Sequence, residues 1–360
     1  MTGPQYIVLN GTQIEISQII DGNAEPRTEF ENHALTFCRD WLSGKSHFSL
    51  TTSGSTGTPK SITANREQMI ASATSTAAFL NLQHNFNALV CLDTRYIAGM
   101  MMLVRCFETG MNPIIVEPSV NPLSEIGNQK IDFAAFVPMQ VDHMINECPE
   151  QLDQIQKIII GGAHLNKELL KEIAKLKTTV YETYGMTETL SHVALKKLNG
   201  NNSDPYFTAL PGVSFEIDGR GCLVVHAPYL SSPFVTNDVV ELVNQKQFNW
   251  IGRWDHIINS GGVKINPEKI ETELQPLMES VGIPNRFIIA GFSDQKLGEK
   301  VCLILEGKSP SEEIINKLKE LMDRHIHKYE QPREIFFTDQ FVETATGKIN
   351  RRATINLFPV

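Results

Sequence analysis

No apolar run in the 360 residues comes near the ~18 needed to cross a bilayer, so no membrane-spanning segment is expected. The start of the chain lacks the basic stretch, apolar run and small-residue cleavage site of a secretion signal, which points to a cytoplasmic protein. The 6 cysteines (Cys38, Cys91, Cys106, Cys148, Cys222 and Cys302) never form a C-x-x-C pair. That excludes a disulfide framework and predicts reduced, mostly buried thiols. Among 10 histidines the only close pair is His325-x-His327, too little for a structural zinc site. Positive charge is in the minority, 32 Lys+Arg against 41 Asp+Glu, giving −9. An acidic balance argues against nucleic acid or an anionic membrane as the main partner. Internal repeats and low-complexity stretches are absent as well.

The remainder is ordinary globular sequence, 41% hydrophobic and 20% charged, long enough to bury a core without disulfides or metal. The length predicts two domains. From His256 onward the chain holds 14 basic and 15 acidic residues, so almost all the excess negative charge lies before that point.

Short β-type runs at residues 88–92, 114–117, 133–137, 157–160 and 179–184 alternate with helical patterns, among them 166–176 with Leu169, Leu170, Ile173 and Leu176 on one face. This alternation predicts parallel β-α-β units and an α/β sheet covered on both faces. From about residue 209 the texture changes. The runs 211–217, 222–226, 239–242 and 247–251, broken by Gly, Pro and Asn, predict antiparallel hairpins in a small sheet or barrel. The last hundred residues predict an α+β unit. It has a helix at 267–277 capped by Asn266, strands at 287–290 and 301–305, and an amphipathic helix at 310–328 with Ser309 and Glu312 as a capping box. The expected domains are 1–252 and 257–360, joined by a hinge at 253–256.

The densest chemical signal is Ser53-Gly54-Ser55-Thr56-Gly57-Thr58-Pro59-Lys60. Backbone N–H groups, hydroxyls and a terminal cation at such spacing suit a phosphate chain. The loop is not a Walker motif, because Pro59 interrupts it and no Gly-Lys-Ser/Thr follows. Taken alone it reads equally well as a flexible linker.

Further motifs follow in order: Gly161-Gly162-Ala163 after a strand, Tyr184-Gly185-Met186-Thr187-Glu188, Thr236-Asn237-Asp238, Gly252-Arg253-Trp254-Asp255, Ser260-Gly261-Gly262-Val263-Lys264-Ile265 with Pro267-Glu268-Lys269-Ile270-Glu271, and Thr346-Gly347-Lys348-Ile349. Together with the 53–60 loop they resemble the signature motifs of the adenylate-forming superfamily, which includes acyl-CoA synthetases, non-ribosomal peptide adenylation domains and luciferases. The resemblance spans nearly the whole chain. It implies a large N-terminal α/β domain with mixed and parallel sheets covered by helices and a small β-barrel-like subdomain, followed by a small mobile α+β C-terminal lid.

It also implies roles. The 53–60 loop, Thr187 and Lys348 would neutralise the phosphates, with Mg²⁺ held near Glu188. Gly161, Gly162 and Ala163 would form the adenine-side turn. Tyr184 would stack on adenine, with Gly185 beside it making an open loop. A core aromatic is the alternative for Tyr184. Asp238 would accept the ribose hydroxyls. Arg253 would support the same ribose, or else form a hinge salt bridge. Asn237 stands where the family has Gly. Lys348 would bridge the acyl carboxylate and the α-phosphate. Ser260, Gly261, Gly262 and Lys264 would form the face used in the second half-reaction, with Asp255 as the pivot between the two faces.

The implied chemistry is ATP-dependent: acid plus ATP gives acyl-AMP and pyrophosphate, and the CoA thiol then displaces AMP. Residues 93–99 correspond to the acid-recognition segment, where Tyr96 stands in place of the Asp used for amino acids. The early position of the phosphate loop and the run from Tyr184 to His192 most resemble o-succinylbenzoate–CoA ligases of menaquinone biosynthesis. The early loop also implies a shortened leading subdomain. The second carboxylate of that acid would need a cation or hydroxyls. Arg95, Ser191, His192 and Lys196 are candidates, with a solvated Lys196 and a packed core His192 as the alternatives. Other aryl or acyl acids, transfer to a carrier protein, and an inactive ligand-binding relative remain open, as does a homo-oligomer. The expected partners are a small carboxylic acid, ATP and CoA.

Overall fold

A computed structural model describes residues 3–51, 61–163, 165–200, 203–344 and 349–358. A 13-stranded sheet forms its backbone. Six strands of one half run parallel, in the spatial order Thr179–Met186, Lys157–Ile160, Phe133–Phe136, Asn87–Val90, Asn112–Ile115 and Tyr6–Leu9. The continuous apolar runs seen in sequence arise because both faces are covered. Alternate residues feed two cores: Phe133, Ala135 and Ile159 go to one, Ala134, Phe136, Ile158 and Ile160 to the other. Helices Arg66–Leu80 and Ile97–Thr109 supply the first core, and Pro138–Glu147 and Lys167–Ile173 the second.

Strand Thr179–Met186 is the seam. It pairs in parallel with Lys157–Ile160 and antiparallel with Ser191–Lys197. The hairpin runs expected downstream continue the same sheet antiparallel: Phe207–Ala209, Gln247–Arg253, Phe234–Asn244, Cys222–His226 and Ser214–Ile217. This end curls, because the Phe215 N–H reaches the Gln245 carbonyl at 2.9 Å and its ring packs edge-on against Phe248 at 5.0 Å.

A second sheet joins Val263–Ile265, Ile258–Ser260, Gly298–Glu306 and Phe287–Asp294, with Glu334–Thr338 added in parallel to Gly298–Glu306. Helices Pro267–Ser280 and Glu312–His325 cover it through Ile270, Leu274, Met278, Leu318 and Met322. The latter helix is shorter than the 310–328 expected. Ser309 turns its hydroxyl to the Pro310 carbonyl, and Ser311 caps the helix instead. Lys167–Ile173 is likewise shorter than 166–176, with Asn166 as its cap. Pro276 inside Pro267–Ser280 has no N–H for the Thr272 carbonyl, and Lys167 from the larger unit donates to that oxygen at 2.7 Å. Among the described residues no helix is long and apolar enough to cross a membrane.

Candidate active site

The seam strand and the antiparallel part of its sheet gather seven of the residues singled out above: Tyr184, Gly185, Ser191, His192, Lys196, Asp238 and Arg253. Tyr184 is buried, its ring against Phe207 at 5.8 Å and Phe248 at 4.9 Å, and its hydroxyl donates to Asp238 Oδ2 at 2.6 Å. Burial and then the Asp238 carboxylate push the phenol well above its ordinary 10.0, so it stays a donor. Asp238 lies opposite Arg253 in register, and Arg253 Nη1 reaches Asp238 Oδ1 at 3.5 Å. Arg253 also grips Asp255 at 2.9 Å. Burial opposes the Arg253 charge, but these carboxylates outweigh it and raise its pKa. The ribose-side and hinge readings of Arg253 therefore describe two ends of one connected chain, Tyr184–Asp238–Arg253–Asp255.

Gly161 follows strand Lys157–Ile160 and touches the same strand pair, since a Cβ there would overlap the Thr183 hydroxyl. Gly162 and Ala163 beside it are exposed. Gly185 needs correction. It lies inside strand Thr179–Met186 rather than in an open loop, directly opposite His192. A side chain at Gly185 would collide with the His192 Cα and the Ser191 carbonyl, so close strand approach accounts for the glycine.

Thr187 and Glu188 follow in a tight 3₁₀ turn, Thr187–Thr189, and both are half-buried. Buried Thr189 fastens that turn, accepting from Met186 N–H at 3.0 Å with its hydroxyl near the Ser191 carbonyl at 2.8 Å. Leu190 and Ser191 then take φ of 54° and 88°, left-handed values that cost non-glycine residues about 1 kcal/mol or more each. Backbone strain of this kind concentrates where a side chain must be aimed.

Ser191 and His192 are aimed at Arg105. This arginine sits on Ile97–Thr109, is 1% exposed, and interrupts an otherwise apolar stretch from Met100 to Phe107. Its Nη2 donates to Ser191 Oγ at 3.0 Å and faces His192 Nδ1 at 3.5 Å. Its Nε has no hydrogen-bond partner, and no carboxylate pairs with it among the described residues. Burial lowers the guanidinium to about 10, which still leaves it charged at neutral pH. The sequence reading missed Arg105, although a lone cation within an apolar helical run was the available signal. His192 is fully engaged, with Nε2 at 2.9 Å from Thr76 Oγ1. Burial and then Arg105 hold its imidazole well below 6.5, hence neutral. The Tyr229 hydroxyl is buried near Ser72 and Arg105.

The other candidates for a second carboxylate lie apart from this cluster. Arg95 is exposed and pairs with Asp93 at 2.6 Å. Lys196 lies across the strands from Glu182 and over the Phe207 ring at 5.7 Å. Tyr96 caps the helix that carries Arg105 and is 36% exposed.

At the junction of the two sheets, His256 Nδ1 meets Glu268 Oε1 at 2.5 Å. Arg351 Nη2 pairs with Glu271 at 2.5 Å. Burial opposes the Glu268 charge, but the His256 hydrogen bond and Arg351 outweigh it and hold the carboxyl below its ordinary 4.5. Lys264 stacks over the Trp254 ring at 4.5 Å, on the hairpin that turns at Ser260, Gly261 and Gly262. Ser53, Gly54, Ser55, Thr56, Gly57, Thr58, Lys60 and Lys348 lie outside the described residues. No cluster of three or more metal-ligating side chains occurs among the described residues. Glu188 alone fits a magnesium ion that takes its other ligands from phosphates and water.

The sequence matches the AMP-binding enzyme family over residues 25–224. It is 27% identical to a 2-succinylbenzoate–CoA ligase of Geobacillus sp. (strain WCH70) over 402 residues, covering 99% of this chain and 79% of that one. A 2-succinylbenzoate–CoA ligase of Lactococcus lactis is 26% identical, with 90% and 77% covered. Among solved structures, an acyl-CoA synthetase (AMP-forming)/AMP-acid ligase II-like protein of Dyadobacter fermentans shares 40% identity at a TM-score of 0.64, covering 94% of this chain and 97% of that one. The fold is also that of an o-succinylbenzoate coenzyme A synthetase from Bacillus subtilis, solved with ATP and magnesium, at a TM-score of 0.70 and 23% identity, with 85% and 69% covered.

Proposed function

From the premise that this chain belongs to the AMP-binding enzyme family and is an AMP-forming acyl-CoA synthetase, we propose that its acid is an aromatic dicarboxylate, best matched by o-succinylbenzoate in menaquinone biosynthesis. One observation carries this reading: Arg105 is a buried cation with no carboxylate partner among the described residues. An unpaired buried charge costs several kcal/mol, and a ligand carboxylate would offset that cost. Ser191 Oγ and the free Arg105 Nε are the groups available to that carboxylate. The names of the Geobacillus and Lactococcus relatives support the same acid.

In this reading the other carboxylate meets ATP on the seam strand. Tyr184 and the Gly161–Gly162–Ala163 turn hold adenine, and Asp238, steadied by Arg253, accepts the ribose hydroxyls. The 53–60 loop, Thr187 and Lys348 neutralise the phosphates as acyl-AMP and pyrophosphate form. Magnesium at Glu188 would supply charge neutralisation on the phosphate oxygens. After rotation about Asp255, the face bearing Ser260, Gly261, Gly262 and Lys264 guides the CoA thiol to the acyl carbon, expelling AMP.

The test is ATP–pyrophosphate exchange with purified protein against a panel of carboxylic acids, with and without CoA. Exchange with o-succinylbenzoate and CoA-dependent AMP release are expected. Robust exchange with benzoate, a fatty acid or an amino acid, and none with o-succinylbenzoate, would refute the assignment. Arg105→Met is expected to raise KM for o-succinylbenzoate by about 100-fold, the loss of a buried charge-assisted contact.

A further inference from the structure

We infer that His192, locked by Thr76, is a positioning residue that sets the preference for an acid carrying a second carboxylate, acting through Arg105; this rests on the reading of Arg105 given above. The arginine sets the tautomer. Arg105 Nη2 can only donate, so Nδ1, which faces it at 3.5 Å, is the unprotonated nitrogen of the neutral ring, and Nε2 carries the proton toward Thr76 Oγ1 at 2.9 Å. Nδ1 is then a lone-pair acceptor. It faces Arg105 Nη2 and Ser191 Oγ, both at 3.5 Å. Ser191 Oγ already accepts from Arg105 at 3.0 Å, so its own proton can serve Nδ1 until an anionic ligand takes it.

A carboxylate at position 192 would orient the guanidinium equally well, but it would also neutralise it. An imidazole orients without neutralising. Burial and the neighbouring cation both oppose protonation of the ring, so it remains an uncharged acceptor. Arg105 is thereby held in place with its charge unspent until an anionic ligand arrives. His192 is 5% exposed with both ring nitrogens engaged, so its influence on the acid passes through Arg105 and Ser191 rather than through contact.

The strained turn serves the same end. Ser191 is brought to Arg105 at φ 88°, and the Leu190 carbonyl just before it is held by the Ser72 hydroxyl at 2.7 Å. Gln68, Ser72 and Thr76 lie four residues apart on one face of Arg66–Leu80, and their side chains hold the Tyr229 carbonyl, the Leu190 carbonyl and His192 respectively.

The test compares kcat/KM for o-succinylbenzoate with that for 4-oxo-4-phenylbutanoate, which lacks only the ring carboxylate, in the full-length protein. His192→Glu supplies the internal anion and is expected to cut the ratio between the two acids by about 30-fold or more, mainly through KM of the dicarboxylate. His192→Gln retains a neutral acceptor and is expected to keep the ratio within about threefold. A ratio unchanged in His192→Glu, or lost equally in His192→Gln, overturns the inference. Should His192→Glu fail to fold, Thr76→Val removes the acceptor for Nε2 at nearly constant volume and is expected to lower the ratio about threefold to tenfold, and an unchanged ratio there overturns it equally. Failure of the underlying reading looks different. Wild-type protein would then show no preference for the dicarboxylate, or Arg105→Met would leave that preference intact.

Discussion

Replacing Tyr184 with Phe isolates the hydroxyl that bonds Asp238, because the ring, its contacts with Phe207 and Phe248, and any stacking on a base all remain. Without nucleotide the variant leaves Asp238 Oδ2, buried at 5% residue exposure, without its 2.6 Å donor. Arg253 addresses the other oxygen at 3.5 Å and cannot replace it. A hydrogen bond to a buried charged group contributes about 1.5–3 kcal/mol, which for a domain of this size lowers Tm by roughly 3–6 °C. If Asp238 receives the ribose hydroxyls, ATP supplies new donors to the orphaned oxygen and recovers most of that loss. ATP then binds the variant more tightly than wild type by about tenfold or more, since 1.4 kcal/mol corresponds to tenfold. Thermal unfolding with and without saturating ATP reads both quantities. The reasoning fails if Tyr184→Phe is equally destabilised in the two states, because Asp238 would then not be meeting ribose.

Gly185→Ala should cost about 2–4 kcal/mol, since backbone atoms of the partner strand block the new Cβ from both sides, whereas Gly219→Ala, with open space around it, should be nearly neutral by urea unfolding. The Glu268 carboxyl is held below its ordinary 4.5, so its stabilisation is complete above that value and is lost as pH falls through the lower folded value. Wild-type stability should therefore fall more steeply below pH 4.5 than that of Glu268→Gln, as acid titration followed by circular dichroism would register. Lys348→Ala should abolish acyl-adenylate formation while sparing thioester formation from supplied acyl-adenylate, and equal loss of both half-reactions would count against two separate faces.

The parallel half of the large sheet was legible because its strands are buried on both sides and read as unbroken apolar runs, KIII at Lys157–Ile160 being the plainest. The residues proposed for the nucleotide side were picked out by motif order, and the structure joins four of them, Tyr184, Asp238, Arg253 and Asp255, in one hydrogen-bonded chain. Gly185 was misread because a glycine needed for close strand approach looks, in sequence, like one needed for an open turn. Arg95 was named as a candidate while its pairing with Asp93 was not visible, and Arg105 was not named at all. What marks Arg105 is the lack of a carboxylate partner among the described residues, and absences of that kind exist only in three dimensions. The cap at Ser311 instead of Ser309 is a contest between two hydroxyls that backbone geometry alone decides.

On the proposed reading of the site, the stripe Gln68, Ser72 and Thr76 makes one helix the gauge against which three separate parts of the acid side are set, while the chain from Tyr184 to Asp255, proposed for the nucleotide, hydrogen-bonds to none of the three. The protein therefore carries two settings that can be altered independently. Exchanging those three side chains together with Arg105 would retune which acid is accepted and leave ATP recognition where it is, so substrate range in chains built this way can drift through four positions on two adjacent helices without disturbing the chemistry they serve.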